Sequence, residues 1–458
     1  MKRRKIIAAD AFCGCGGATT GFEMKADQLG IDHVSVAVNH WDIAIDTMSV
    51  NHPKVRAVRA DMMTLIPSDV LSGQLDFFWA SPSCTHHSRA KGGRPRENQL
   101  RSQPELLYPW IDYGRPKFIV IENVPEFVEW GPLNAKNMPI KKMKGKFFIH
   151  FIEGIKLRGY DVDWRVVCCA DYGDATTRKR LFIKAVRRGC GKIEWPKPTH
   201  AKNPETDLFG TKLKKWRAIS ECLDFDDIGK SVFNRTKPLA EKTMRRIADG
   251  MRKYCGIDLQ PFLEKMYGTG KSNSIDKPIR AQTCVRKDYI CTPFVVDHTN
   301  NGKARSVDKP IPAQTTKDHV SLITPMVLGQ QGGAECRPID KPVPTIATSG
   351  AIRLITPFVV DNANGGIIRG ADEPMNTVTV KDQHMGVFPM LEDGRIIDIY
   401  IRMLKPKELA AAHSFPADYV LTGNRGQQIK QIGNSVPMLT AAAMCESALR
   451  QLAFGRVA

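Results

Sequence analysis

Short apolar runs alternate with helix-like stretches through the first 190 residues, and this alternation restricts the chain to a layered α/β architecture. Lys5 to Phe12 reads as a buried strand, and Cys13-Gly14-Cys15-Gly16-Gly17 reads as a tight loop. A helix from about Thr19 to Leu29 and a second strand from His33 to Val38 complete a βαβ unit. Further strands are expected at 75–80, 118–122, 162–168 and 181–186, giving a doubly wound sheet. In such sheets the strand C-termini converge on a ligand crevice. Two of the strands end in reactive groups. The run Leu75 to Ala80 leads into Ser81-Pro82-Ser83-Cys84, and Phe118 to Ile121 leads into Glu122-Asn123-Val124. A thiol and a carboxyl facing one pocket can attack an electron-poor ring and protonate it, which is a covalent-catalysis pattern rather than a binding pattern.

A length of 458 residues suits two to three domains. Lys and Arg total 67 against 48 acidic residues, a net charge of +19. That excess fits a polyanionic partner such as nucleic acid, although a merely basic enzyme would show it too. No apolar run approaches a membrane span. The basic start resembles a signal peptide, but Asp10 cuts its apolar stretch short, so a cytoplasmic location is expected. Twelve cysteines include no CxxC pair and no ligand-spaced His/Cys set; reduced thiols and no metal are expected. Thr85 to Gln103 carries Arg89, Lys91, Arg94, Arg96 and Arg101 with no apolar periodicity, and reads as a functional loop.

Composition shifts near Pro196-Lys197-Pro198, and a helix is expected through Leu239, Met244, Ile247 and Met251. Beyond it Asp276-Lys277-Pro278, Asp308-Lys309-Pro310, Asp340-Lys341-Pro342 and Asp372-Glu373-Pro374 recur every 32 residues. Thr292-Pro293, Thr324-Pro325, Thr356-Pro357 and Phe388-Pro389 keep the same phase. Four copies in register, at about 272–390, indicate repeated units, and runs such as Phe294-Val295-Val296 make them hairpins. They could be a purely structural array; a recognition surface built from their loops is the favoured reading. A helix from Pro406 to His413, the block Gln431 to Pro437 and an apolar helix to about Leu452 close the chain.

By itself the glycine loop leaves a nicotinamide oxidoreductase open. Its full form, Asp10 to Gly17 and on to Gly21-Phe22, is joined by Pro82-Ser83-Cys84, Glu122-Asn123-Val124, Arg178-Lys179-Arg180, Arg402 to Pro416 and Gln431 to Pro437. In this order the set resembles the DNA (cytosine-5)-methyltransferase family, over residues 5–186 and 400–452. The resemblance implies a Rossmann-like, S-adenosylmethionine (AdoMet)-dependent catalytic domain over 1–198. A smaller β-rich target-recognition domain is expected over 199–398, whose repeats lie outside the resemblance, and a segment 399–458 is expected to return to the catalytic domain.

The implied reaction is methyl transfer to C5 of a flipped-out cytosine in a specific double-stranded DNA sequence, leaving S-adenosylhomocysteine. Cys84 would add to C6, Glu122 would protonate or hydrogen-bond N3, and Arg178 and Arg180 would hold O2. For the cofactor the resemblance implies Phe12, Gly14, Gly16, Gly17, Trp41, Asp61 and Asn434. For DNA it implies Ser88, Arg89, Lys91, Arg94 and Arg96, closing over the extruded base. A monomer is expected, with a cognate restriction endonuclease as a candidate partner. The chain departs from the family pattern at four places: His40 replaces the acid that would grip the ribose, Ser83 replaces a proline, Thr85-His86-His87-Ser88 replaces glutamine-x-phenylalanine-serine, and Thr176 replaces a glutamine. The alternatives are an RNA (tRNA) cytosine-5 methyltransferase and a catalytically inactive DNA-binding relative.

Overall fold

In the computed structural model the described residues are 5–82, 103–132, 140–204, 213–227, 229–232, 373–375 and 399–455, a few isolated positions between them, and the backbone of short strands from 262 to 398. Two compact units emerge. One comprises Met1–Leu223, Asp372–Gln383 and Leu404–Ala458, the other Asp224–Ala371 and His384–Met403.

The first unit is built on a seven-stranded sheet of order β3-β2-β1-β4-β5-β7-β6. Its strands are β1 (Ile6–Ala11), β2 (His33–Asn39), β3 (Val55–Arg59), β4 (Phe77–Ala80), β5 (Phe118–Asn123), β6 (Tyr160–Cys168) and β7 (Lys179–Arg187). Strand order reverses between β1 and β4, the switch point at which open α/β sheets bind ligands. The sheet departs from a wholly parallel one at β7, which runs antiparallel to both β5 and β6. The reason is chain length. The stretch 169–178 is too short for a helical crossover, so β6 and β7 close as a hairpin.

Side chains alternate across each strand and bury both faces. On one face Phe78, Ile119, Ile121 and Ile183 pack against α3 (Leu107–Gly114) and α4 (Lys146–Leu157) through Trp110 and Phe151. On the other, Phe77, Trp79, Val120 and Phe182 meet α1 (Gly17–Gln28) and the helix Met438–Phe454. Those two helices approach closely because α1 carries glycine at its contact positions. A Cβ on Gly21 would lie 2.7 Å from the Met438 carbonyl oxygen, and one on Gly17 would lie 2.3 Å from that of Val436. Among the described residues no helix is long and apolar enough to cross a membrane.

In the second unit strand Phe294–Asp297 pairs antiparallel with Ala304–Ser306 and Val320–Ile323. Phe358–Asp361 pairs in the same way with Ile367–Gly370 and His384–Glu392. The two arrangements lie 64 residues apart, two repeat lengths, so the same hairpin unit recurs in backbone as in sequence. The helix expected over 239–251 lies largely outside the described residues; Thr243 and Ile247 within it are helical.

Asp10 points from β1 into the apolar layer beneath α1. Its Oδ2 accepts from the Thr19 hydroxyl at 2.7 Å, while Oδ1 has no hydrogen-bond partner among the described residues. Burial pushes its carboxyl from 3.8 up to about 7. Between those values the folded chain holds the proton more tightly than the unfolded chain, so stability falls as pH rises through the window, and the cost is full above it. Asp10→Asn is therefore expected to raise stability at pH 8 by on the order of 1–4 kcal/mol and to flatten the decline between pH 4 and 7. Denaturant midpoints of both proteins across that range would check this; parallel curves would exclude it.

Candidate active site

The C-terminal ends of β1, β4 and β5 lie side by side. The amide of Ser81 donates to the Ala11 carbonyl at 3.0 Å, and the register sets Ala80 opposite Ile121. Glu122 and the Pro82 end of β4 are therefore on adjacent strands at one edge. Asn123 joins them directly. Its buried amide donates to the Pro82 carbonyl at 3.2 Å, and its Oδ1 accepts from the amide of Val124 at 2.9 Å. Cys84 follows two residues after Pro82 and lies outside the described residues, as do Ser88, Arg89, Lys91, Arg94 and Arg96.

Glu122 faces Phe182 across the antiparallel β5–β7 ladder, so Arg180, two residues before Phe182, is its diagonal neighbour on the same face. The Arg180 Nε lies 2.8 Å from Glu122 Oε1, with each side chain only 9% exposed. Arg178 is placed differently. It is 2% exposed and donates from Nη1 to the Gly433 carbonyl at 2.9 Å. Arg180 thus lies against the Glu122 carboxyl, and Arg178 bonds to the C-terminal segment.

That bond belongs to a clamp. Gly433 lies in the last turn of the helix Arg425–Asn434, where carbonyls carry partial negative charge and favour a cation. A few residues on, Asp174 accepts from the Leu439 amide at 3.3 Å and from the Thr440 amide and hydroxyl at 3.0 and 2.6 Å, capping the next helix at its positive end. Burial pushes Asp174 up to about 6 against the pull of these bonds. Loop 174–178 thus holds both sides of the connection Gly433–Thr440. Against the same loop runs Glu373-Pro374-Met375 from the fourth repeat; the Thr177 amide donates to the Met375 carbonyl at 2.7 Å. Asn123 and Asp174 were not singled out from the sequence. Asn123 was visible only as a neighbour of Glu122, and nothing local marks Asp174 as a cap for a helix more than 260 residues away.

Around the switch point Phe12, Gly14 and Gly16 all have positive φ, at 59, 55 and 91°. The conformation is free for glycine but costs Phe12 on the order of 1 kcal/mol, a strain of the kind that concentrates at functional sites. A Cβ on Gly14 would meet open space, whereas Gly16 and Gly17 press on the protein. Trp41 is partly buried at the start of α2 (Asp42–Asn51), and the Lys430 Nζ lies 4.4 Å from its ring centroid. Asp61 is exposed, with Oδ1 accepting from the Met63 amide at 2.9 Å, and Asn434 is exposed at its helix end. His40 is exposed, and the next acid, Asp42, is paired with Arg59.

A family model described as C-5 cytosine-specific DNA methylase matches residues 6–450. The chain belongs to that family. A protein of Oceanobacillus iheyensis that carries the name of a type II methyltransferase is 29% identical over 214 residues, 42% of each chain. DNA (cytosine-5)-methyltransferase 4 of Arabidopsis thaliana is 24% identical over 330 residues, 63% of this chain and 19% of the relative. The chain spans less than half the length of these curated relatives. A solved structure of a DNMT2 mutant from Spodoptera frugiperda shares the fold at a TM-score of 0.50 and 13% identity, covering 97% of this chain and 99% of that one.

The clamp makes a measurable claim about this methylase. Arg178→Met is expected to lower unfolding stability by about 2–3 kcal/mol, the scale of a buried charged hydrogen bond. It should also speed hydrogen exchange at the amides of residues 435–440. An unchanged midpoint and unchanged protection there would show that the connection is held by other contacts.

Proposed function

We propose that this methylase transfers a methyl group from AdoMet to C5 of a cytosine flipped out of double-stranded DNA, through a transient bond between Cys84 and C6. The observation that carries the reading is the Glu122–Arg180 pair, buried at the end of β5 and tied through Asn123 to the strand end that leads to Cys84. Cytosine C5 is a weak nucleophile, so the ring needs activation. In the proposed sequence the Cys84 thiolate adds to C6 and pushes an electron pair toward N3 and O2. Glu122 protonates or hydrogen-bonds N3, and Arg180, fixed beside it, stabilises charge at O2. Arg178 is assigned a positioning part, through the connection it clamps. Removal of the C5 proton then returns electrons to the ring and expels the Cys84 sulfur.

AdoMet, when bound, supplies the electrophilic methyl group. The residues around the switch point fit it: the open space at Gly14, the partly buried face of Trp41 and the exposed side chains of Asp61 and Asn434 are polar and aromatic groups suited to a nucleoside. Phe12, Gly16 and Gly17 shape the floor of that site. With His40 exposed and Asp42 engaged by Arg59, no acid grips the ribose in this proposal. Residues 1–198 and 399–458 form the catalytic part, and 199–398 the part that selects the target. The recurrence of one hairpin unit at 64-residue spacing supports an extended recognition face. Ser88, Arg89, Lys91, Arg94 and Arg96 are proposed to contact the DNA backbone as the base is extruded.

Incubation of the protein and AdoMet with duplexes containing 5-fluorodeoxycytidine is expected to trap an adduct on Cys84 and none in Cys84→Ala. A folded, AdoMet-binding wild type that forms no adduct on any duplex, or that labels only tRNA, would overturn the DNA reading. Glu122→Gln is expected to keep DNA binding while slowing methyl transfer about a hundredfold, the scale of lost acid–base help. Single-turnover rates would measure it, and an unchanged rate would remove Glu122 from the mechanism.

A further inference from the structure

The turn Cys13–Gly17 rests on a buried polar cluster that the proposed chemistry leaves unused. His52, directly after α2, is 3% exposed. Its Nδ1 lies 2.5 Å from Glu23 Oε2 on α1, and its Nε2 lies 3.0 Å from the Tyr419 hydroxyl and 3.2 Å from the Thr20 hydroxyl. Each hydroxyl has one proton and a backbone carbonyl within reach of it. Tyr419 donates to the Cys15 carbonyl at 2.5 Å, and Thr20 donates to the Gly16 carbonyl at 2.7 Å. A carbonyl oxygen can only accept, so neither proton is available to His52. With both protons directed at carbonyls, Nε2 carries a hydrogen and donates it to the two hydroxyl oxygens. Nδ1 faces the Glu23 carboxyl, which holds the ring in place.

We propose that Glu23 and His52 are positioning residues for the cofactor loop, keeping Nε2–H a donor so that Tyr419 and Thr20 stay aimed at the Cys15 and Gly16 carbonyls. The proposal rests on the AdoMet reading of that loop. Contact is direct: a Cβ on Gly16 would lie 2.8 Å from His52 Nε2 and 2.7 Å from the Tyr419 oxygen. His33, whose Nε2 is 3.7 Å from Glu23 Oε1, backs the same carboxyl from β2. Because Tyr419 comes from the C-terminal segment, the loop's shape depends on a residue some 400 positions away.

AdoMet titration calorimetry, with thermal melts to confirm folding, tests this. His52→Leu and Tyr419→Phe are expected to weaken AdoMet binding about tenfold, the scale of buried polar groups losing a partner. The loss should appear in the AdoMet KM more than in kcat. His52→Gln, whose amide can donate from the place of the ring Nε2, should recover most of the affinity, which a merely space-filling role would not explain. If His52→Leu does not fold, the milder Tyr419→Phe carries the test with His52→Gln. Wild type that fails to bind AdoMet would sink the cofactor reading and this proposal with it. Wild type that binds, beside folded Tyr419→Phe and His52→Gln variants that bind equally well and no better than His52→Leu, would sink this proposal alone.

Discussion

The return of the C-terminal segment onto the glycine loop and α1 is the contact on which the rest of the first unit depends. The helix Met438–Phe454 lies against Gly21 and the residues just before it against Gly17, where any side chain would strike backbone. Loop 174–178 grips the connection before it with opposite charges at two helix ends, Arg178 at a C-terminus and Asp174 at an N-terminus. Each end of the grip satisfies backbone groups that helix ends leave without partners. The exposed Asn434 sits between these fixed points, so its position follows from buried interactions rather than from its own bonds.

The Glu122–Arg180 pair has a different energetic character. A buried ion pair adds little net stability over apolar packing, yet removing either partner leaves an uncompensated charge and is strongly destabilising. Such a pair is retained for geometry. It sits where a mixed sheet makes it available, because antiparallel β7 brings Arg180 diagonally beside Glu122. Asn123, one residue on, points to the opposite face and ties β5 to the end of β4. Two successive residues of one strand thus hold an ion pair on one side and strand alignment on the other.

Much of the first unit was legible in the sequence because its strands are short, apolar and separated by strong turn signals. The expected strands at 75–80, 118–122, 162–168 and 181–186 correspond to β4, β5, β6 and β7, and the 32-residue repeat surfaces again as a recurring hairpin. The direction of β7 was not legible. Apolar periodicity reports burial and not strand polarity, and only the brevity of 169–178 hinted at a hairpin. The parts of Asp174, Asn123, Glu23 and His52 were hidden for another reason. Each acts on residues distant in the chain, and nothing local distinguishes a capping aspartate or a donating histidine from a solvated one.

The sequence by itself determined the layered architecture, the positions of the strands and the family. These follow from local propensity, side-chain alternation and the order of short motifs. The tertiary structure decided which arginine meets the carboxyl and which clamps a helix end, and what lies beneath the glycine loop. Those outcomes depend on strand direction and on the docking of residues 404–455 against the first hundred, where distance in the chain carries no information about distance in space.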